Sequence, residues 1–319
     1  KRDDIDLVDI TAPSDVHREI VIAAAQAGKH VFCEKPLALD LEDSIEMWRA
    51  VEEAGVKHMV GFNYRRVPAV QLAKRLIEEG AIGEIRHFRG TYLQDFIVDP
   101  DFPLVWRLQR EVAGSGPLGD LASHLIDIAH FLVGDIMEVT GMAETFIKER
   151  PVPSSMTGLS ATSEGGAMEK VTVEDACSFL FRFDNGALGS LEASRMCPGR
   201  KNYQTFEVNG SKGSVCFSFE RMNELQFFSR EDASHAQGFR TIQVTEPEHA
   251  YLEAWWPPGH IIGYEHTFVH EVKDLIEAIA TDEMPQPSFA DGVKCQAVVD
   301  AVLESVKTRA WVEVPKVFL

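Results

Sequence analysis

The sequence lacks the features of a secreted, membrane-bound or nucleic-acid-binding protein. Its five cysteines are odd in number and scattered, and no CxxC pair points to a structural zinc site or a disulfide framework. The net charge of -19 argues against nucleic acid and anionic membrane surfaces as partners. No apolar run is long enough to span a bilayer, and the charged first residues do not form a signal peptide. These absences favour a cytoplasmic protein in a reducing compartment.

Two further absences concern the start of the chain. The sequence does not begin with methionine, and no G-x-G-x-x-G fingerprint follows the first predicted strand. A short apolar run of the kind found in buried strands appears within the first ten residues. We therefore expect a fragment that begins inside a domain.

The composition is that of an ordinary globular protein of about two domains, with 319 residues, 45% of them hydrophobic and 25% charged. Residues 1–62 alternate apolar runs with amphipathic segments, which predicts a partial doubly wound parallel sheet. Residues 63–319 contain many short strand patterns separated by turn residues, which predicts an α/β domain with a large, mostly antiparallel sheet. We place the domain boundary near Asn63.

Two loops of the first domain hold candidate functional residues. The segment from Thr11 to Pro13 and the segment from Glu34 to Pro36 each follow a predicted parallel strand. Ligands of open parallel sheets bind beyond the carboxyl ends of the strands. Lys35, fixed against a proline, is therefore a functional candidate by position. The alternative is an ordinary solvated lysine after a strand.

A predicted helix in the second domain contains Asp120, His124 and Asp127 at spacings i, i+4 and i+7. This spacing places the three side chains on one helix face. Two carboxylates beside a histidine raise its pKa and fix its tautomer, which suits a general acid or base. A solvated helix face and a metal site are the alternatives that the helix alone leaves open.

Taken together, several motifs resemble the glucose–fructose oxidoreductase / inositol dehydrogenase / MocA (Gfo/Idh/MocA) family. The motifs follow in the order Thr11-Ala12-Pro13-x-x-x-His17, Glu34-Lys35-Pro36, Gly61-Phe62-Asn63-Tyr64-Arg65 and Gly119-Asp120-x-x-Ser123-His124-x-x-Asp127. The resemblance extends over nearly the whole chain, and the last three of these motifs, in the expected order, are far more specific than any one of them alone.

The resemblance implies an oxidoreductase that transfers a hydride between NAD or NADP and a secondary hydroxyl of a sugar or polyol. It implies a Rossmann domain followed by a sheet domain whose open face forms the interface of a homo-oligomer. By comparison with a complete nucleotide-binding half, roughly 60–70 N-terminal residues would be missing. We therefore expect weak cofactor binding and an inactive fragment. A non-catalytic ligand-binding or regulatory protein of the same fold is the alternative.

The resemblance also assigns roles to individual residues. Lys35, Asp120 and His124 match the catalytic residues of the family, with His124 as the base for the hydroxyl proton and Lys35 stabilising the developing alkoxide. Asp127 either orients His124 or caps and solvates the helix, and we favour the second role. No metal is expected.

Other residues are predicted to surround this centre. The predicted cofactor-binding residues are Thr11, Pro13, His17, Glu34, Lys35, Asn63 and Arg107. The predicted substrate-binding residues are Tyr92, Gln94, Trp106, Asp120, His124, His260 and Tyr264, with Asp95 beside them. Aromatic faces, carboxylates and amides suit a neutral, hydroxyl-rich ring better than a phosphate. The pattern is most similar to family members that act on free sugars, anhydrosugars or inositols.

Overall fold

A computed structural model describes residues 2–157, 160–163 and 166–317. The chain begins with three parallel strands, β1 (Leu7–Ile10), β2 (His30–Cys33) and β3 (His58–Val60), in the order β1-β2-β3. Two helices connect them, α1 (His17–Gln26) and α2 (Leu41–Ala54). This is the Rossmann-type parallel arrangement that the alternating pattern predicts.

The ends of α2 illustrate how the sequence defines these elements. The Asp40 side chain accepts a hydrogen bond of 2.9 Å from the backbone N–H of Asp43, which satisfies a free donor of the first turn. Gly55 ends the helix with φ of 64°, a left-handed conformation that glycine adopts without steric cost. The chain therefore turns directly from α2 towards β3.

The second sheet of the described residues is large, mixed and mostly antiparallel. The strands that follow β3 are β4 (Ile85–Leu93), β5 (Ile136–Glu144), β6 (Glu149–Pro151), β7 (Ser155–Thr157), β8 (Ser160–Thr162), β9 (Met168–Lys170), β10 (Ala176–Phe183), β11 (Leu188–Ser194), β12 (Tyr203–Gly210), β13 (Gly213–Ser218), β14 (Glu224–Ser229), β15 (Arg240–Gln243) and β16 (Val312–Glu313). The strand order in the large sheet is β15-β14-β13-β12-β4-β11-β10-β5-β16, and the β4–β11 pair is parallel. Two small two-stranded sheets, β6-β9 and β7-β8, lie outside it.

The remaining α-helices of the described residues are α3 (Pro68–Glu78), α4 (Arg110–Ala113), α5 (Ser123–Leu132), α6 (Glu265–Ala280) and α7 (Phe289–Thr308). Three of these five helices, α3, α5 and α7, pack against strands of the large sheet. Helix α7 packs on β5 and also on α2 and β3. One hydrophobic core therefore runs through both sheets, and the division at residue 62 remains a prediction.

The turn that leads into α5 is not an ordinary helical turn. Residues Leu118–Ala122 form a π-helical turn, and the α-helix begins only at Ser123. A π turn is wider than an α turn and is frequent at functional sites. Asp120 therefore lies outside the regular helix on which the i, i+4, i+7 spacing was based.

Among the described residues, no helix combines the length and the apolar character that a membrane span requires. All five cysteines are free thiols.

Candidate active site

Two adjoining cavities lie where the carboxyl ends of β1 and β2 meet the second domain. The larger has a volume of about 530 Å³ and the smaller about 160 Å³. Five residues line both of them, namely Glu34, Lys35, Trp106, Arg107 and Asp120. A ligand that fills the smaller cavity therefore reaches the wall of the larger one.

Lys35 and Asp120 meet in this shared wall, although 85 residues separate them in the chain. The Lys35 Nζ atom donates to the Asp120 backbone carbonyl at 2.8 Å and to Asp120 Oδ1 at 3.1 Å. The Lys35 side chain is only 15% exposed. The wide π turn presents both the carbonyl and the carboxylate of Asp120 to the lysine.

Arg195 binds the other oxygen of the same carboxylate. Its Nη2 atom donates to Asp120 Oδ2 at 2.9 Å, and its Nη1 atom donates to the Arg107 carbonyl at 3.3 Å. Burial opposes ionisation of Asp120, but the charges of Lys35, Arg195 and Arg107 outweigh it and hold the pKa of Asp120 well below its ordinary value. Asp120 is therefore an ionised hydrogen-bond acceptor at neutral pH.

His124 lies in the larger cavity and is 6% exposed. Burial, reinforced by the charge of Lys35, lowers the pKa of His124 well below its ordinary value, so the imidazole is neutral. Its Nδ1 atom is buried and has no hydrogen-bond partner. The ring packs edge-on against Tyr64, with 4.6 Å between the ring centroids. Aromatic packing therefore holds this ring, and the prediction that a carboxylate orients it is wrong for the described residues.

Asp127 has neither of the two roles proposed from the sequence. It is 2% exposed, and its two oxygens accept hydrogen bonds of 2.8 and 2.6 Å from the Arg65 guanidinium. Arg65 also donates to Asp291 at 3.0 Å. The carboxylate therefore belongs to a buried ion pair that connects α5 to the chain after β3. Asp127 does not solvate the helix, because the Arg65 guanidinium lies where water would otherwise contact the carboxylate.

The structure brings most of the predicted substrate-binding residues together. Besides Asp120 and His124, the lining of the larger cavity includes Tyr92, Gln94, Trp106 and Tyr264. His260 is an exception, since it is exposed and its Nδ1 atom lies 2.7 Å from the Pro257 carbonyl oxygen. Asp95 pairs with Lys201 at 2.8 Å and does not line the cavity.

Of the predicted cofactor-binding residues, some line the cavities and others do not. Thr11, Glu34, Lys35 and Arg107 line the smaller cavity, and Asn63 lines the larger one.

His17 and Pro13 do not reach these cavities. His17 is 1% exposed, and its Nδ1 and Nε2 atoms lie 3.2 and 2.9 Å from the carbonyl oxygens of Leu37 and Ala12. These contacts tie the two strand-end loops together, so the predicted cofactor contact of His17 is corrected to a structural role. Pro13 is exposed and lines neither cavity.

Several residues of the site were missed in the sequence, among them Tyr64, Arg195 and Asn202. Tyr64 lines the cavity and belongs to a motif already recognised, so its position beside Asn63 was an available signal. Arg195 follows β11, and Asn202 precedes β12. Nothing in the local sequence separates these two from ordinary polar loop residues, because their partners lie far away along the chain.

The chain belongs to the Gfo/Idh/MocA oxidoreductase family. Residues 1–62 match the family model described as "Oxidoreductase family, NAD-binding Rossmann fold", and residues 70–216 match "GFO/IDH/MocA C-terminal domain". The resemblance inferred from the motifs is thereby confirmed.

Relatives cover nearly all of the chain. It is 49% identical to the levoglucosan dehydrogenase of Pseudarthrobacter phenanthrenivorans over 98% of its length and 81% of the relative's. The structure titled "Levoglucosan dehydrogenase, complex with NADH and levoglucosan" superposes with a TM-score of 0.92 at 48% identity, over 98% of this chain and 81% of that one. An oxidoreductase domain protein from Kribbella flavida gives 0.93 at 50% identity, over 99% and 82%. These alignments do not support the expectation of an inactive fragment.

The residues of the smaller cavity fit the nicotinamide cofactor that the Rossmann family implies. The cavity lies beyond the strand ends and offers a hydroxyl at Thr11, cations at Lys35 and Arg107, and a carboxyl group at Glu34. These groups match the hydroxyls and amide of a nicotinamide riboside. The shared wall with the larger cavity places such a ligand beside Lys35 and Asp120.

Proposed function

We propose that the protein is an NAD-dependent dehydrogenase that oxidises a secondary hydroxyl of a neutral sugar, anhydrosugar or inositol. The observation that carries this proposal is the convergence of Lys35 and ionised Asp120, in the wall shared by the two cavities, with neutral His124 in the larger cavity. The 49% identity to a levoglucosan dehydrogenase supports the anhydrosugar among these substrates.

Oxidation of an alcohol needs a base for the hydroxyl proton and an acceptor for the hydride. When bound, NAD⁺ supplies the hydride acceptor. His124 takes the proton, because burial keeps its imidazole neutral and the ring faces the larger cavity. Lys35 donates a hydrogen bond to the alkoxide oxygen and so stabilises the charge that develops there.

Asp120 positions both the lysine and the substrate. Its contact with Lys35 Nζ holds the ammonium in the wall, while Arg195 fixes the second carboxylate oxygen. Each carboxylate oxygen has lone pairs left to accept a substrate hydroxyl. Asp120 is therefore suited to bind the reacting hydroxyl or its neighbour.

The aromatic lining of the larger cavity supports a sugar ring as the substrate. Tyr64, Tyr92, Trp106 and Tyr264 supply aromatic faces, and Gln94 supplies an amide. Aromatic faces with a few polar groups bind sugar rings by stacking and by hydrogen bonds to hydroxyls.

A substrate panel tests the proposal. We expect the purified protein to reduce NAD⁺ with levoglucosan, and with some free sugars or inositols, and to use NADP⁺ more slowly. Formation of reduced nicotinamide, followed by its absorbance, measures each rate. Turnover of sugar phosphates or nucleotide sugars, without turnover of any neutral polyol, would contradict the proposal.

The substitution Asp120→Asn separates substrate binding from cofactor binding. The amide keeps the size of the side chain but loses the charge that faces Lys35 and Arg195. A hydrogen bond to a charged group contributes about 1.5–3 kcal/mol, so we expect kcat/KM for the polyol to fall by about 10- to 100-fold. NADH affinity, measured by fluorescence titration, should change far less. An equal loss in kcat/KM for the polyol and in NADH affinity would contradict the assignment.

We also propose that the protein is a cytoplasmic homo-oligomer that associates through the outer face of the large sheet. Met142, Leu180 and Leu188 are exposed on this face, at 72%, 54% and 46%. Such exposed apolar side chains on neighbouring strands favour an interface. The five free thiols support a reducing compartment.

A further inference from the structure

A set of linked hydrogen bonds forms one wall of the larger cavity. Tyr64 and Tyr92 line the cavity with their hydroxyl oxygens 2.8 Å apart. The Tyr92 hydroxyl donates to Asn202 Oδ1 at 2.7 Å, and Gln94 Nε2 donates to the same oxygen at 2.9 Å. Asn202 Nδ2 returns to the Tyr64 hydroxyl at 3.5 Å. Asn202 itself does not line the cavity.

The register of the sheet explains why Asn202 reaches this wall. Strand β12 pairs antiparallel with β4, with Tyr203 opposite Leu93 and Gln204 opposite Tyr92. One further step along the pair places Asn202 opposite Gln94. The hydrogen bond from Gln204 N to the Asn202 carbonyl, at 3.2 Å, helps to hold this turn.

The direction of each hydrogen bond follows from the number of protons available. A phenol has one hydrogen to donate, and Tyr92 donates it to Asn202. In the contact between the two phenols, Tyr64 must then be the donor. Both hydroxyl hydrogens are therefore used inside the wall, and towards the cavity the two oxygens offer lone pairs only.

We propose that Asn202 is a specificity-determining residue that makes the two phenols of this wall accept, and not donate, hydrogen bonds. The inference rests on the proposed function and deepens it. The Asn202 Oδ1 atom accepts the Tyr92 hydrogen. The Tyr92 oxygen can then only accept from Tyr64, so the Tyr64 hydrogen points towards Tyr92. Together with ionised Asp120, these acceptor positions select ligands that donate there, which means polyols with free hydroxyl groups.

Burial makes the selection strong. Tyr64 and Tyr92 are 2% and 3% exposed, so water has little access to an unmatched lone pair. Burial also raises the pKa of Tyr92 well above its ordinary value, so the phenol keeps its proton. A ligand group that only accepts, such as an ether, a fluorine or a phosphate oxygen, would face a second acceptor and lose binding.

Two substitutions at this position give opposite expectations. Asn202→Leu removes the acceptor, so the Tyr92 hydrogen is released and can be donated to the ligand. Asn202→Asp keeps acceptor oxygens for Tyr92 and for Tyr64, so both hydrogens stay inside the wall. Asn209→Leu, at the far end of β12, is the control for a general effect on the strand.

The probes are levoglucosan and its monodeoxyfluoro derivatives, with fluorine in place of each hydroxyl that is not oxidised. Fluorine is close to a hydroxyl in size but cannot donate. For at least one position, we expect the wild-type protein to prefer the hydroxyl by about tenfold or more in kcat/KM. This ratio should fall several-fold in Asn202→Leu and persist in Asn202→Asp and Asn209→Leu.

The outcomes distinguish the inference from the proposed function. If the ratio of kcat/KM between hydroxyl and fluoro probes stays unchanged in Asn202→Leu, the inference is wrong but the proposed function stands. The same holds if Asn202→Leu loses activity equally with every probe, because that result would mark a merely structural residue. If the wild-type protein oxidised no neutral polyol, the proposed function would fail and the inference with it.

Discussion

Replacement of Lys35 by alanine is expected to lower kcat by orders of magnitude while leaving the fold intact. The ammonium group donates to Asp120 and, in the proposed mechanism, also to the reacting oxygen, so its loss removes a charge that stabilises the transition state. Removing one such donor from an electrostatic site typically costs about 10²- to 10³-fold in kcat. Steady-state kinetics with levoglucosan and NAD⁺ measure the effect.

Lys57 offers a matched control for this substitution. Its side chain is also 15% exposed and pairs with an aspartate, Asp282, at 2.9 Å, but it lines neither cavity. We expect Lys57→Ala to retain wild-type kcat. Full activity of Lys35→Ala, with its melting temperature unchanged, would remove the lysine from the catalytic assignment.

The convergence of Lys35 with Asp120 was predictable from the sequence for a physical reason. Lys35 follows a parallel strand, and ligands of such sheets bind at that edge. Residues 7–60 provide the strong periodic signals that define this edge. The Gfo/Idh/MocA motifs then identified Asp120 and His124 as the partners.

The surroundings of these residues were not predictable in the same way. The helical spacing placed Asp127 beside His124, but the π turn at Leu118–Ala122 changes the geometry and Arg65 takes the carboxylate. Such a turn has no clear sequence signature. Arg195 and Asn202 reach the site only through the sheet, so their roles depend on strand order and register.

The orientation of two histidine side chains was also not predictable from the sequence. His17 and His260 were both assigned to the site because they lie near strand or helix ends. One is buried between backbone carbonyls and the other is exposed on a loop. Sequence position located the right region but could not say which way a side chain points.

Replacement of Asp127 by alanine is expected to destabilise the protein strongly. The substitution leaves the Arg65 guanidinium, whose side chain is 6% exposed, without its bidentate partner. Breaking a buried pair by removing one member costs about 3–5 kcal/mol, because the remaining charge is buried and poorly compensated. Asp291 retains one contact with Arg65 and keeps the loss within that range. The free energy of unfolding in denaturant measures it.

The control is the pair of Lys294 and Asp135, whose side chains are 40% and 50% exposed. Exposed pairs contribute at most about 1 kcal/mol, so Asp135→Ala should change the stability little.

The two interpretations of Asp127 differ in kinetics as well. If Asp127 oriented His124, its loss would shift the pH dependence of kcat, whereas a partner of Arg65 leaves that profile unchanged below the unfolding temperature. A shifted pH profile with nearly wild-type stability would therefore restore the catalytic role that the ion pair argues against.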